Sequence, residues 1–174
     1  MHQAPPTPKK RVAIFIDAAN ILYSQQTLGW EIDYKKFLSF FKKDFQLAIA
    51  NFYSGKISKN TRQNKFFRKM GSLGYKVITK EVKWIRDKNG KVLKGKGNLD
   101  IELAIDLTQS IELYDTLILA SGDSDFKPAV SFAKQKGKTV FVVSSRGHIS
   151  KELIKAADQY IPMEKLKRHI KRSR

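Results

Sequence analysis

The chain has 174 residues, 41% of them apolar, which suits one domain with one substantial core. Its 34 Lys and Arg against 16 Asp and Glu give a net charge of +18, so a polyanion is the first partner to expect and an anionic membrane surface the second. The absence of cysteine excludes disulfides and thiolate metal sites, and no apolar run approaches the roughly 18 residues that a membrane helix needs.

Residues 1–10 are polar and Pro-rich, lack the apolar centre of a signal peptide, and read as a disordered tail. A soluble, cytoplasmic protein is the expectation. Residues 12–16 form an apolar run that suits a buried strand ending at Asp17, with a helix starting at Ala18. Asp33 is placed to cap a helix that carries Phe37, Leu38, Phe41 and Phe45 on one face. Residues 47–53 read as a strand, and Ser54 and Gly55 end it. A basic helix over residues 59–73 follows, with a Phe66, Phe67, Met70, Leu73 stripe facing the core and Gly74 as C-cap. Residues 75–79 read as the next strand.

Residues 81–96 break this rhythm. Val82 and Trp84 alternate with polar neighbours, and Asn89-Gly90 is a hairpin turn signal. Lys83, Arg86, Lys88, Lys91, Lys94 and Lys96 crowd the same stretch, which reads as a projecting basic hairpin or loop. Trp84 and Tyr75 are aromatic groups on which bases could stack. A helix is expected over residues 99–110, with Leu99, Leu103, Ile105 and Leu107 as apolar contacts and Asp100 in its first turn, where the helix dipole favours a carboxylate.

Residues 116–120 are apolar after Thr116 and run directly into Ser121-Gly122-Asp123-Ser124-Asp125-Phe126. Such a run suits a strand buried on both faces, with a sharp turn at its carboxyl end. Asp125 is a candidate cap for the following helix, which tolerates Pro128 in its first turn and ends before Gly137. Residues 139–143 form another buried strand, followed by a polar loop containing Arg146 and His148. Ser150 is placed to cap a short helix, Ile161 ends a last short strand, and residues 164–174 read as a basic tail. The core domain is therefore expected over residues 11–163.

Strands alternating with helices imply a three-layer α/β/α arrangement with a mainly parallel central sheet. Sites in such sheets form beyond the carboxyl ends of strands. Asp17 and Asp123 follow two buried strands, and Asp100 opens a helix leading into the second of them. Two unit charges 4 Å apart repel by about 4 kcal/mol at an effective dielectric near 20. Gathered aspartates therefore call for a cation, and a hard divalent ion with oxygen ligands fits carboxylates. Such an ion can hold a phosphodiester and activate water. Asn20, one helical turn after Asp17, can orient a water or a carboxylate through its amide.

Three stretches carry a resemblance: Phe15-Ile16-Asp17-Ala18-Ala19-Asn20, then Lys96-Gly97-Asn98-Leu99-Asp100-Ile101-Glu102-Leu103-Ala104-Ile105-Asp106, then Ser121-Gly122-Asp123-Ser124-Asp125-Phe126. In this order and spacing they resemble the motifs of NYN domains, in the PIN-like nuclease group, and are similar to its LabA-like branch. The resemblance implies a Mg²⁺- or Mn²⁺-dependent ribonuclease. It implies Asp17, Asp100 and Asp123 as metal-binding acids, Asn20 and Asp125 as catalytic support, and Asp106 and Ser121 as outer supports. RNA, single-stranded or structured, is the implied substrate, with DNA and the oligomeric state left open. Lys83, Trp84, Arg86, Lys94, Lys96 and Arg146 are the expected nucleic-acid contacts. The competing expectation is a non-catalytic RNA-binding regulatory domain that keeps the acids for architecture. A phospho-aspartate enzyme fits less well, because the Asp17-Ala18-Ala19-Asn20 stretch lacks a second aspartate two residues on. His148 and His169 stand alone, so no serine or zinc chemistry is expected.

Overall fold

The computed structural model describes residues 8–86 and 92–173. Its first half contains β1 (Arg11–Asp17), α1 (Ala18–Leu28), α2 (Tyr34–Lys42), β2 (Gln46–Lys56), α3 (Thr61–Ser72), β3 (Lys76–Glu81), β4 (Lys83–Arg86) and β5 (Val92–Lys96). The second half contains α4 (Asp100–Gln109), β6 (Thr116–Ala120), α5 (Lys127–Gln135), β7 (Thr139–Ser144), α6 (Lys151–Ala156), β8 (Gln159–Pro162) and α7 (Met163–Ile170). Six strands form one sheet in the order β3-β2-β1-β6-β7-β8, and every neighbouring pair in it is parallel. β4 and β5 form a separate antiparallel ribbon.

The apolar runs read from the sequence become strands covered on both sides. In β1, Val12, Ile14 and Ile16 join one core, together with Ile21 of α1, Phe37, Leu38 and Phe41 of α2, and Met70 of α3. Ala13 and Phe15 point the other way, into a second core built on Leu103 and Leu107 of α4, Val130 and Ala133 of α5, and Leu153 of α6. A strand with side chains alternating between two packed layers has no solvent face, so its sequence is apolar throughout. The fold is the expected three-layer α/β/α arrangement around a parallel sheet. Asp33, Asn60 and Ser150 cap α2, α3 and α6 through their side-chain oxygens. Gly74 and Gly137 follow α3 and α5 with positive φ, the left-handed conformation that ends a helix at little cost for glycine.

Several expectations are corrected. Residues 164–170 are not a tail: they complete α7, whose Met163, Leu166 and Ile170 are buried in the first core. Asp33 N–H donates to the Ile170 carbonyl at 2.8 Å, and Lys171 bridges to Ile32. The apolar spacing of positions 163, 166 and 170 carried that helix, hidden among basic residues. Ile105 is 46% exposed rather than a core contact, and Phe66 is also partly exposed. Tyr75 is 3% exposed and donates its hydroxyl to the Tyr34 carbonyl, so it offers no stacking surface. The Asn89-Gly90 turn, Lys88, Lys91 and residues 1–7 lie outside the described residues. Among the described residues no helix is long and apolar enough to cross a membrane.

Candidate functional site

The chain leaves β1 for β2 and β3 on one side, then returns through α4 to β6 on the other. The sheet therefore changes direction between β1 and β6, and a crevice opens beyond their carboxyl ends. Asp17 stands at the end of β1. Its Oδ1 accepts from the Ala19 and Asn20 N–H groups at 3.1 and 3.2 Å, which caps α1. Its Oδ2 accepts from the Ser121 hydroxyl at 3.0 Å, across the gap to β6. Burial pushes the Asp17 carboxyl above the usual range. The bonds from Asn20, Ser121 and Ala19 oppose that shift, while the Asp100 charge adds to it.

The loop after β6 is clamped. Gly122 N–H donates to Asn20 Oδ1 at 2.9 Å, and the Gly122 carbonyl accepts from Ser150 N–H at 2.9 Å. A Cβ on Gly122 would lie 1.7 Å from the His148 carbonyl oxygen, so only glycine fits this approach. Asp123 then caps a single 3-10 turn, Ser124–Phe126, by accepting from Asp125 N–H at 3.0 Å. Asp125 does not cap α5 as expected: the N-cap of α5 is Phe126, with no side-chain cap bond, and Asp123 caps the 3-10 turn before it. α5 starts behind Phe126, whose ring is fully buried and anchors the turn.

Asp100 reaches the same place from the first turn of α4. Asn98 holds it from both sides: its Oδ1 accepts from Asp100 N–H at 2.8 Å, and its amide donates to Asp100 Oδ2. Burial raises the Asp100 carboxyl, the Asn98 bond opposes this, and the charges of Asp123 and Asp125 raise it further. Carboxylate oxygens of Asp100, Asp123 and Asp125 all lie within 4.8 Å of one another. Four acids among the described residues do have cationic partners: Arg11 holds Asp115 down to about 2, Lys134 pairs with Asp158 at 3.0 Å, and Glu31 and Glu102 pair with Arg172 and Lys80. Among the described residues the rim trio has no ion pair. Its donors are all carboxylate oxygens, with no His or Cys, which is the donor set of a hard divalent cation.

The expected site residues divide accordingly. Asp100, Asp123 and Asp125 come together. Asp17 stands beside them, its oxygens engaged by the helix cap and by Ser121. Ser121 lies between Asp17 and Asp123, accepting weakly from Asp123 N–H at 3.3 Å. Asp106 is elsewhere: six residues along α4, about 9 Å down its axis, it accepts from the Tyr53 hydroxyl at 2.7 Å. Lys83 and Trp84 are exposed on β4, and Trp84 is paired in register with Gly95. The side chains of Arg86, Lys94 and Lys96 lie outside what the structure describes. Arg146 is exposed beyond the carboxyl end of β7, on the rim that carries the acids, with its N–H held by Glu164 at 3.0 Å. His148 faces Thr27 at 2.7 Å and His169 lies against Phe40, so neither joins the acids.

Two supports were not expected from the sequence. Asn98 carried a signal, since Asn two residues before an acid is a turn-forming pattern. Tyr53 carried none, because its partner Asp106 is distant in sequence.

The NYN domain model matches residues 11–164. The chain belongs to the NYN-domain family. That family is of the PIN-like nuclease kind. The chain is 38% identical over 167 residues to the low amplitude and bright protein LabA of Synechococcus elongatus, covering 94% of this chain and 89% of LabA. It is 36% identical over 67 residues to the uncharacterized protein MJ0482 of Methanocaldococcus jannaschii, covering 37% of this chain and 28% of that protein. A crystal structure of VPA0982, a protein of unknown function from Vibrio parahaemolyticus, superposes with a TM-score of 0.77 at 25% identity, covering 92% of this chain and 96% of that one.

Proposed function

We propose that this NYN-domain protein is a divalent-metal-dependent endoribonuclease. The observation that carries the reading is the set of Asp100, Asp123 and Asp125 oxygens within 4.8 Å of one another, at the sheet's switch point, in a chain of net charge +18. Asp100, Asp123 and Asp125 would hold Mg²⁺ or Mn²⁺, with Asp17 at their side. A bound divalent ion supplies charge stabilisation for a phosphodiester and a more acidic water. Ser121 orients the Asp17 carboxylate, and Asn20 fixes the loop that carries Asp123. Lys83, Trp84, Arg86, Lys94, Lys96 and Arg146 draw the strand toward the acids through charge and stacking. RNA as substrate follows from the family, since charge alone does not separate it from DNA.

The test is incubation of labelled RNA with purified protein, with Mn²⁺, with EDTA, and with Asp123→Asn. Metal-dependent products that vanish in EDTA and in the variant support the reading. Products unchanged by both would end it. One observation favours a second reading, a non-catalytic RNA-binding regulator: both Asp17 oxygens already serve the fold. Binding of the same RNA with no metal-dependent product would select that reading.

A further inference from the structure

α4 is held on the second core by Leu103 and Leu107 and by Leu99 at its N-cap, a narrow buried row with a spacing of four residues, beside which only the small Ala104 also packs. At about 100° per residue, such a row fixes which side of a helix faces the core but resists rolling about its own axis poorly. Polar ties hold one flank. Asp106 accepts from the Tyr53 hydroxyl of β2, and Glu102, one turn earlier on that flank, pairs with Lys80 of β3 at 2.6 Å. Asp100 lies on the opposite flank. The two flanks straddle the buried row, so a roll that frees one lifts the other. With a helix radius of about 5–6 Å including side chains, a roll of about 20° moves a carboxylate by about 2 Å. That is enough to take Asp100 out of reach of an ion shared with Asp123 and Asp125.

Of the two ties, the one to Tyr53 is the fixed one. Lys80 and Glu102 are solvent-exposed, and exposed ion pairs contribute little. Tyr53 is 3% exposed, and its ring stacks on Phe15 of β1 with centroids 6.2 Å apart. Its hydroxyl accepts from the Asn51 amide at 3.0 Å while donating to Asp106, so its direction is set from both sides. Tyr53 is also the residue of β2 in register with Asp17. The hydroxyl therefore sits on a rigid strand level with the end of β1.

We propose that Tyr53 and Asp106 form a positioning pair: their hydrogen bond sets the roll of α4 and thereby places the Asp100 carboxylate against Asp123 and Asp125. Asp106 acts through the helix and does not touch the ion. The functional value of that placement rests on the metal-site reading above; the placement itself does not.

The test uses full-length Tyr53→Phe and Asp106→Asn, with Mn²⁺ affinity by calorimetry and crystal structures of the metal-free proteins. Removing the hydroxyl should displace the Asp100 carboxylate by more than about 1 Å and weaken Mn²⁺ binding about tenfold, the scale seen for outer supports of metal ligands. Asp106→Asn keeps an acceptor for the hydroxyl and should stay within about threefold of the unaltered protein. An Asp100 that does not move in Tyr53→Phe overturns the proposal. So does an Asp106→Asn variant as impaired as Asp100→Asn, since Asp106 would then be a ligand. If the unaltered protein binds no Mn²⁺, the metal-site reading fails, while the position of Asp100 in Tyr53→Phe still decides the role of the pair.

Discussion

The Ser121 hydroxyl donates to Asp17 Oδ2 at 3.0 Å and so joins the ends of the two strands that flank the sheet's switch point. Ser121 is fully buried, and the bond goes to a carboxylate whose pKa burial has already raised. Ser121→Ala removes one of the bonds that hold that pKa down. At neutral pH the loss should be about 1.5–3 kcal/mol, the range for hydrogen bonds to charged groups. The sign of its pH dependence follows from linkage. A raised carboxyl contributes stability below its unfolded pKa and loses it as pH rises through the folded value. Ser121→Ala raises the folded value further, so its deficit should be largest at pH 7 and shrink near pH 3. Urea unfolding at both pH values checks this; an equal deficit at each would contradict it.

Asp123→Asn addresses the acids directly. Asn still accepts from Asp125 N–H, so the 3-10 turn keeps its cap. One negative charge leaves a trio within 4.8 Å. In EDTA the variant should melt a few degrees above the unaltered protein, because like-charge repulsion is relieved. Metal-dependent cleavage should fall by about a hundredfold or more. Burial and its neighbours raise Asp100, so the metal-free protein should lose stability as pH rises from about 4 toward 7. Added Mn²⁺ should restore it by binding the folded state alone. Melting curves with and without Mn²⁺ at both pH values check the pair of effects.

The layers were legible in the sequence because strands buried on both faces are written as unbroken apolar runs. β6 runs over the expected residues, and β1 and β7 differ from expectation by a residue at one or both ends. α7 was not legible because its three buried positions stand among Lys, Arg and His, where charge outweighs a sparse apolar pattern. At the site, the acids at strand ends were visible, but their grouping was not. Which oxygens face each other depends on a 3-10 turn that points Asp125 back toward Asp100. It also depends on Asp17 committing one oxygen to a helix cap and the other to Ser121. The placement of Asp106 on Tyr53 is set by helix rotation over the sheet, which spacing alone leaves free.

Gly122 tests how tightly the loop carrying Asp123 is held. Alanine there would put a Cβ 1.7 Å from a backbone oxygen that is itself part of a clamped loop, so the backbone must shift. Gly122→Ala should cost about 3 kcal/mol or more. A Cβ added at Gly147, in the neighbouring loop, would meet nothing within 4 Å, and Gly147→Ala should be near neutral. Denaturation of the two variants side by side checks the contrast. Equal stability would mean that the loop carrying Asp123 yields freely.

Trp84 and the lysines around it test the proposed RNA contact. Trp84 is 49% exposed on a ribbon that pairs apart from the main sheet, and it stands opposite a glycine in register. If bases stack on its ring, Trp84→Ala should weaken single-stranded RNA binding by about 1–3 kcal/mol, or about 5- to 150-fold. It should not alter the salt dependence, because no charge is removed. About six phosphate contacts to a single strand give a log–log slope near −4, a loss of about a few hundredfold between about 50 and 200 mM salt. Lys83→Ala removes one cation and should flatten that slope by about 0.7. Fluorescence anisotropy across salt concentrations separates the two variants. A Trp84→Ala protein with unchanged affinity, or a Lys83→Ala protein with an unchanged slope, would place the RNA track elsewhere on the surface, with the Arg146 loop as the next segment to substitute.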